Sequence, residues 1–386
     1  MEEILEETSV DTEAKLLQLS VPKASLLKAL SRAQAIVERR PTIAILSHIK
    51  LVAKLNELQI TATNMDTSTV EKVIDVASAE DGQVTVAAHT LHEIIRKLPE
   101  DSQITLAQDK SSGNLNLNSG SSHFSLVTIP PSQFPQSQEE TFESNFLLSK
   151  EQCQLLFGKA SLAISREETR YYLCGLYLHA YNKKLRSVAT DGHRLVQAEI
   201  DLPEEATDMH SVIIPRKTVT EVIKIINDDI EDIELSISKS KIRFTAGNLT
   251  LTSKLIDSTF PDYTKVIPKS TENNPLTVQV ASFKDAIDRV SSICSEKTRA
   301  IKLTITNNLL TLSAKSDTSS IAREAIKIDY IGEEMEIGFN AIYLLDILSN
   351  IDDELAHCEF GNNNNPTVIK DKKNDTVLFI IMPMRM

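Results

Sequence analysis

Apolar residues recur at three places along the chain with the spacing of one helix face. Leu26, Leu30 and Ala33, within Lys23–Ala33, sit at i, i+4 and i+7, which stacks their side chains on one side of a helix. Ser149–Ala160 sets Cys153, Phe157 and Ala160 in the same rows about 127 residues later, and Phe283, Ile287 and Val290 follow after about 130 more. A second set keeps this rhythm and places a strand before each helix. Val84–Ala88 leads into Leu91–Leu98, Ser211–Pro215 into Val219–Ile226, and Met335–Phe339 into Ile342–Leu348.

Short runs of strand character fill the intervals. Leu303–Thr306 and Leu309–Leu312 flank Asn307-Asn308, a turn signal. His123–Val127 runs on to Phe134-Pro135, and Leu249–Thr252 runs on to Phe260-Pro261 in the same way. The last strand, Val377–Ile381, meets the tail Met382-Pro383-Met384-Arg385-Met386. The pattern predicts three copies of one unit in the α+β class, each with two helices packed on antiparallel sheets.

The units divide at Pro135–Phe142, rich in Gln, Ser and Glu, and at Lys269–Pro275, which contains Asn273-Asn274-Pro275. The expected domains are therefore 17–140, 141–268 and 269–386, behind an acidic extension at 1–16. Open sheet edges must be hidden from other chains. Pairing them from unit to unit in a closed series is one solution, and three units in each of two chains would give six.

Length and composition agree with several soluble domains. The chain has 386 residues, 41% hydrophobic and 25% charged, too large for one core and too apolar for disorder. Cys153, Cys174, Cys294 and Cys358 are too few and too scattered for a disulfide framework or a metal knuckle, so a cytoplasmic home is expected. The start, Met1–Glu7, is acidic and lacks the order of a secretory signal, and no apolar run is long enough to span a membrane.

A net charge of −13 argues against nucleic acid only if it is evenly spread. The six helical stretches together carry about +7 and leave about −20 elsewhere, so a mildly basic helical face can attract a phosphate backbone. Helices also favour Lys and Arg on propensity alone, which accounts for part of the asymmetry.

Asp191 and His193, in Thr190-Asp191-Gly192-His193-Arg194, invite an acid–base reading and a hydrolase. Asp-Gly between two strand-like runs is more simply a type I′ hairpin turn. The chain has no phosphate-binding glycine loop, nucleophile elbow or zinc-protease helix, and its eight His residues do not pair at ligand spacing. No catalytic residue, metal or cofactor is expected. Arg166–Tyr172 places two tyrosines beside two arginines, suited to phosphates and bases, or equally to a half-buried strand start with solvated charges. The apolar tail departs from the usual polar fraying of a terminus, and its methionines suit a groove open to varied partners. Read plainly, it is a leftover core strand. A protein-interaction scaffold with no DNA role remains the alternative function.

Taken together, these segments resemble the bacterial sliding clamp family, the beta subunit of the replicative DNA polymerase. The residues that carry the likeness are Arg40-Pro41-Thr42, Arg170–Leu173, Ala189–Leu195, Ser211–Lys217, Thr252–Leu255, Phe260–Tyr263, Glu334–Asn340 and Met382–Arg385, in family order from about Leu19 to the end. The resemblance implies a non-enzymatic processivity factor, a head-to-tail homodimer ring that encircles duplex DNA without reading its sequence. It implies a partner-peptide pocket at Tyr172, Leu173, Thr190, Gly192, His193, Arg194, Leu195, Pro261, Lys265, Val266, Met382, Pro383, Met384, Arg385 and Met386. DNA contacts fall on Arg40, Arg170, Tyr171 and Tyr172, and the ring joint on Phe124, Leu126 and Ile293. The implied partners are the polymerase catalytic subunit, a clamp-loader ATPase, and other polymerases and repair proteins bound through short hydrophobic peptides. Lys265, Met386, Glu167, and Asn364 with Pro366 depart from the family pattern, which makes those parts of the pocket rim and DNA surface particular to this chain.

Overall fold

The computed structural model describes residues 16–76, 78–136, 140–228, 230–268, 275–295, 298–361, 364–371 and 373–385. The acidic extension, Asn273-Asn274 and Met386 therefore lie, wholly or almost wholly, outside the described residues. Those described divide into two compact units, one drawn from Met1–Glu140 with Arg243–Ser253, the other from Thr141–Ile242 with Lys254–Met386.

In the first unit, α1 (Lys23–Ile36) packs against α2 (Ala88–Lys97). The expected rows are the buried ones, with Leu26, Leu30 and Ala33 facing in from α1 and Leu91 and Ile95 from α2. Lys23 is buried as well, because its Nζ donates to Leu98 O at 2.6 Å and ties the start of α1 to the end of α2. One antiparallel sheet runs in the order Ser78–Glu80, Gln18–Pro22, Gln103–Gln108, Leu115–Ser119, Ser122–Leu126. Four further strands, Thr67–Val73, Glu57–Thr63, His48–Lys54 and Gly82–Ala87, pair in that order, and Leu249–Ser253 extends them beside Thr67–Val73.

The second unit holds the other helices: α3 (Lys150–Cys153), α4 (Arg216–Ile226), α5 (Val280–Ser291) and α6 (Ala341–Leu348). The helix expected over Ser149–Ala160 begins with a capping box, Ser149 and Gln152 each satisfying the other's backbone N–H. It does not continue as an α-helix. Gln154–Lys159 widens into a π-turn, and Cys153, Leu156, Phe157 and Ala160 are all fully buried. A nine-stranded antiparallel sheet spans the second and third repeats. Its central joint is Arg194–Asp201 against Asn374–Ile381, with Leu195 opposite Ile380. A four-stranded sheet, Ile321–Lys327, Leu309–Lys315, Ala300–Thr306, Met335–Asn340, contains the hairpin expected at Asn307-Asn308.

Two local expectations change. Arg166–Tyr172 is not a strand start: Glu168–Leu173 forms a 3₁₀ turn kinked at Arg170, so it projects side chains in several directions instead of alternating them. The Asp191-Gly192 turn is not type I′, which needs positive φ at two residues. Only Gly192 has it, at +89°, and the loop holds three residues between Thr190 and Arg194.

Candidate functional site

The sheet joint in the second unit brings distant segments together around one apolar cluster. Leu173, Val188, Leu195, Ile213, Phe260, Tyr263, Val368 and Ile380 are buried together, and Tyr172 packs against them half-buried. The chain leaves this joint as a tail, and we refer to the tail, the linker after Phe260 and the loop after Thr190 as the groove. Past Ile381, Met382 N donates to His193 O at 2.8 Å and Met384 N donates to Gly338 O at 2.8 Å. The tail thus runs from the Asp191–His193 loop to the strand Met335–Asn340, with Met382, Pro383 and Met384 half-buried and Arg385 exposed.

The linker after Phe260 forms a second side. Phe260 stacks on Tyr177 at 4.7 Å with planes 1° apart, Tyr177 stacks on His179 at 4.6 Å, and His179 Nε2 shares a 3.1 Å hydrogen bond with Tyr263 Oη. This ladder fixes a linker in which every residue from Pro261 to Val266 except Tyr263 is exposed; Lys265 pairs with Asp262 at 3.3 Å. Burial holds the His179 pKa below its ordinary 6.5, and Arg186 pushes it the same way. Below about pH 6.5 the unfolded chain takes up a proton that the folded chain resists, so stability is full above that pH and falls below it. Burial shifts His48, His89 and His92 in the same direction. The melting midpoint should therefore drop between about pH 7.5 and pH 5.5, and His179→Gln should lessen the drop. An equally steep fall in that variant would remove His179 from this account.

The loop between Thr190 and Arg194 forms the third side. Asp191 Oδ1 accepts from His193 N at 2.9 Å and Arg194 N at 3.0 Å, an Asx turn that occupies the carboxylate with the backbone. Thr190 Oγ1 donates to Arg194 O at 2.7 Å and accepts from Gly192 N at 3.1 Å. Glycine suits position 192 chiefly through its backbone. Its φ is left-handed, and a Cβ there would meet Arg170 Nη1 at 2.7 Å.

Arg194 reaches from this loop to α6. Its Nε lies 3.1 Å from Asp191 Oδ2, its Nη1 donates to Asp346 Oδ2 at 2.6 Å, and its guanidinium sits 4.4 Å from the Tyr343 ring centre. The His193 imidazole stacks on the same tyrosine at 6.1 Å, rather than facing the Asp191 carboxylate. Burial, with the Asp191 charge adding to it, raises the Tyr343 pKa.

Arg170 is engaged within the unit, paired with Glu167 and donating through Nη2 to Asp191 O at 3.1 Å. Hydrogen bonds from Thr169 and Arg170 hold the Glu167 carboxyl below its usual range. Tyr171 is exposed and meets Tyr172 edge-on at 6.0 Å. Of the remaining candidates, Arg40 is exposed in the first unit, Phe124 and Leu126 lie on the outermost strand of its five-stranded sheet, and Ile293 follows α5 half-buried in the second unit.

Sequence models of the DNA polymerase III beta subunit match the chain in order, the N-terminal domain over residues 17–138, the central domain over 148–262 and the C-terminal domain over 264–385. The beta sliding clamp of Caulobacter vibrioides is 40% identical over 376 residues, covering 96% of this chain and all of the relative. This chain belongs to the beta sliding clamp family. The clamp of Pseudomonas aeruginosa is 33% identical over 371 residues, again over 96% of this chain and all of the relative. A crystal structure of the Bartonella birtlesii clamp bound to griselimycin superposes with a TM-score of 0.92 at 38% identity, over 96% of this chain and all of that one. The three repeats are thus the three sliding-clamp domains, and the family's work as a processivity factor in DNA replication is this chain's.

Sequence reasoning left several groove residues unnamed as site residues. Phe260 and Tyr263 stood inside a quoted motif, but Val368, Ile380, Tyr343 and Asp346 did not. For the last two the available signal was their i, i+3 spacing on α6, which puts a ring and a carboxylate on one face.

Proposed function

We propose that two copies of this chain close head to tail into a ring around duplex DNA, and that the groove holds short apolar segments of the proteins the ring tethers. The observation that carries the ring is a pair of open sheet edges. Ser122–Leu126 pairs on one side only among the described residues, with Phe124 and the following Val127 exposed. Ile321–Lys327, the last strand of the four-stranded sheet, also pairs on one side only, and its Ile321 is 74% exposed. An exposed edge is a template for another chain, and joining one edge to the other repeats head to tail until the circle closes. Phe124 and Leu126 would meet Ile293 and its neighbours across that joint. The domains divide at 17–140, 141–268 and 269–386, behind the acidic extension.

DNA contact is electrostatic and independent of sequence. Lys28 on α1, Lys97 on α2, and Arg216 and Lys224 on α4 stand exposed on helices of an otherwise acidic chain. Arg40 in the first unit and Arg170, Tyr171 and Tyr172 in the second are the further residues we assign to DNA contact. A closed ring needs little affinity for DNA, and weak phosphate contacts let it slide. A bound polymerase then stays at high effective concentration near the primer end. The polymerase catalytic subunit, the clamp-loader ATPase that opens the ring, and other polymerases and repair proteins take turns at the groove, which is also where griselimycin binds. The chain acts in the cytoplasm, without catalysis, metal or cofactor; the Asp191 carboxylate is engaged in holding its loop.

Retention after loading tests the topology. The clamp should stay on nicked circular DNA and leave within the same interval once the circle is cut. Equal loss from circle and linear duplex would defeat the ring.

A further inference from the structure

Two carboxylates hold Arg194, and only one is local. Asp191 lies three residues away on the same loop; Asp346 lies 152 residues away on α6. The Arg194 side chain is 11% exposed and Asp191 15%, so this close pair already balances the buried guanidinium. Asp346 is surplus to charge balance, and at 43% exposure it is also the partner easiest to lose. What it adds is direction. Asp191 moves with its loop, whereas Asp346 belongs to α6, whose start is fixed by Asn340 Oδ1 accepting from Ile342 N and Tyr343 N. The bond to Asp346 therefore sets where the loop stands relative to α6. His193 stacks on Tyr343 and accepts from Met382 N, so the tail follows the same alignment.

We propose that Asp346 is a positioning residue for partner docking: it orients Arg194 and, through Tyr343 and His193, the rim of the groove. This rests on the groove being the docking site. A second ion pair joins the same two repeats without reaching the groove, Lys159 Nζ to Asp352 Oδ1 at 2.8 Å. It separates positioning from general loosening.

The experiment titrates griselimycin into the full chain and into Asp346→Asn, Asp346→Glu and Asp352→Asn. Losing one charge-assisted hydrogen bond that preorganises the rim should weaken binding about three- to tenfold in Asp346→Asn. Asp346→Glu should restore most of the affinity, and Asp352→Asn should bind as the unchanged chain does. The Arg194 Nε–Hε resonance should move in Asp346→Asn and stay in place in Asp352→Asn. Undiminished binding by Asp346→Asn, or an equal loss in Asp352→Asn, overturns the role of Asp346 alone. An unchanged chain that fails to bind griselimycin overturns the docking reading and this inference with it.

Discussion

Phe260→Ala is expected to destabilise the second compact unit by about 3–5 kcal/mol, the range for deleting a fully packed aromatic ring. Phe260 is buried in the apolar cluster with Leu173, Leu195, Val368 and Ile380, and its ring lies parallel to Tyr177. Its removal leaves a cavity against residues from both the second and third repeats. Collapse to fill it is opposed on every side, because Leu195 and Ile380 are fixed in one sheet ladder and Tyr263 is tied to His179. Phe260→Leu keeps most of the volume and loses the stack, so it should cost about 1–1.5 kcal/mol. Guanidinium unfolding followed by tyrosine fluorescence measures both, since Tyr172, Tyr177 and Tyr263 surround the site. A loss under about 1 kcal/mol in the alanine variant would mean that the cluster does not hold the linker down.

Much of this architecture was legible in the chain, for a physical reason. A helix that buries one face must place apolar residues 3–4 positions apart, and Leu26, Leu30, Phe157, Phe283 and Ile287 are all buried as that spacing requires. The strand Val377–Ile381 and the Asn307-Asn308 hairpin were readable on the same basis, local pattern meeting local structure. The misread features are those decided by tertiary detail. Gln154–Lys159 widens to a π-turn although its buried residues Cys153, Leu156, Phe157 and Ala160 keep the i, i+3, i+4, i+7 spacing of an ordinary helix face, so the apolar pattern does not announce the widening. The Asp191 loop has three residues because the Asp191 carboxylate captures two backbone N–H groups, an outcome the dipeptide Asp-Gly leaves open.

The groove itself was legible only in part. Tyr172, Leu173, Leu195 and the methionine tail were named through a likeness of motifs; the first three belong to one apolar cluster, and the tail is tied by its backbone to His193 and Gly338. Asp346 is marked locally only by its i, i+3 spacing from Tyr343 on a short helix. Its meaning comes from a guanidinium more than a hundred residues upstream. Arg170 shows the converse. Its residue type suits a phosphate, yet Glu167 and the Asp191 carbonyl already engage it, so any phosphate brought there would compete with partners inside the fold.

Ending the chain at Ile381 is expected to weaken griselimycin binding about 30- to 100-fold, roughly 2–3 kcal/mol, with little effect on folding or dimerisation. The strand Asn374–Ile381 is complete without the tail, and its partners Arg194–Ala198 and Thr367–Lys370 remain paired. The tail contributes two backbone hydrogen bonds, Met382 N to His193 O and Met384 N to Gly338 O, and three half-buried apolar side chains. His193 is exposed, so water can satisfy its carbonyl once Met382 is gone. What water cannot replace is the apolar side of the groove formed by Met382, Pro383 and Met384, where flexible thioethers adapt to a ligand and Pro383 limits the backbone's freedom. The dimer should survive because the two open edges at Ser122–Leu126 and Ile321–Lys327 do not include these residues. Calorimetric titration beside sedimentation of the same preparation separates the two effects. A truncated chain that sediments as the full one and binds griselimycin equally well would show that the ligand rests on Leu173, Leu195 and the Phe260 linker alone. Loss of the dimer would place the tail in the ring joint.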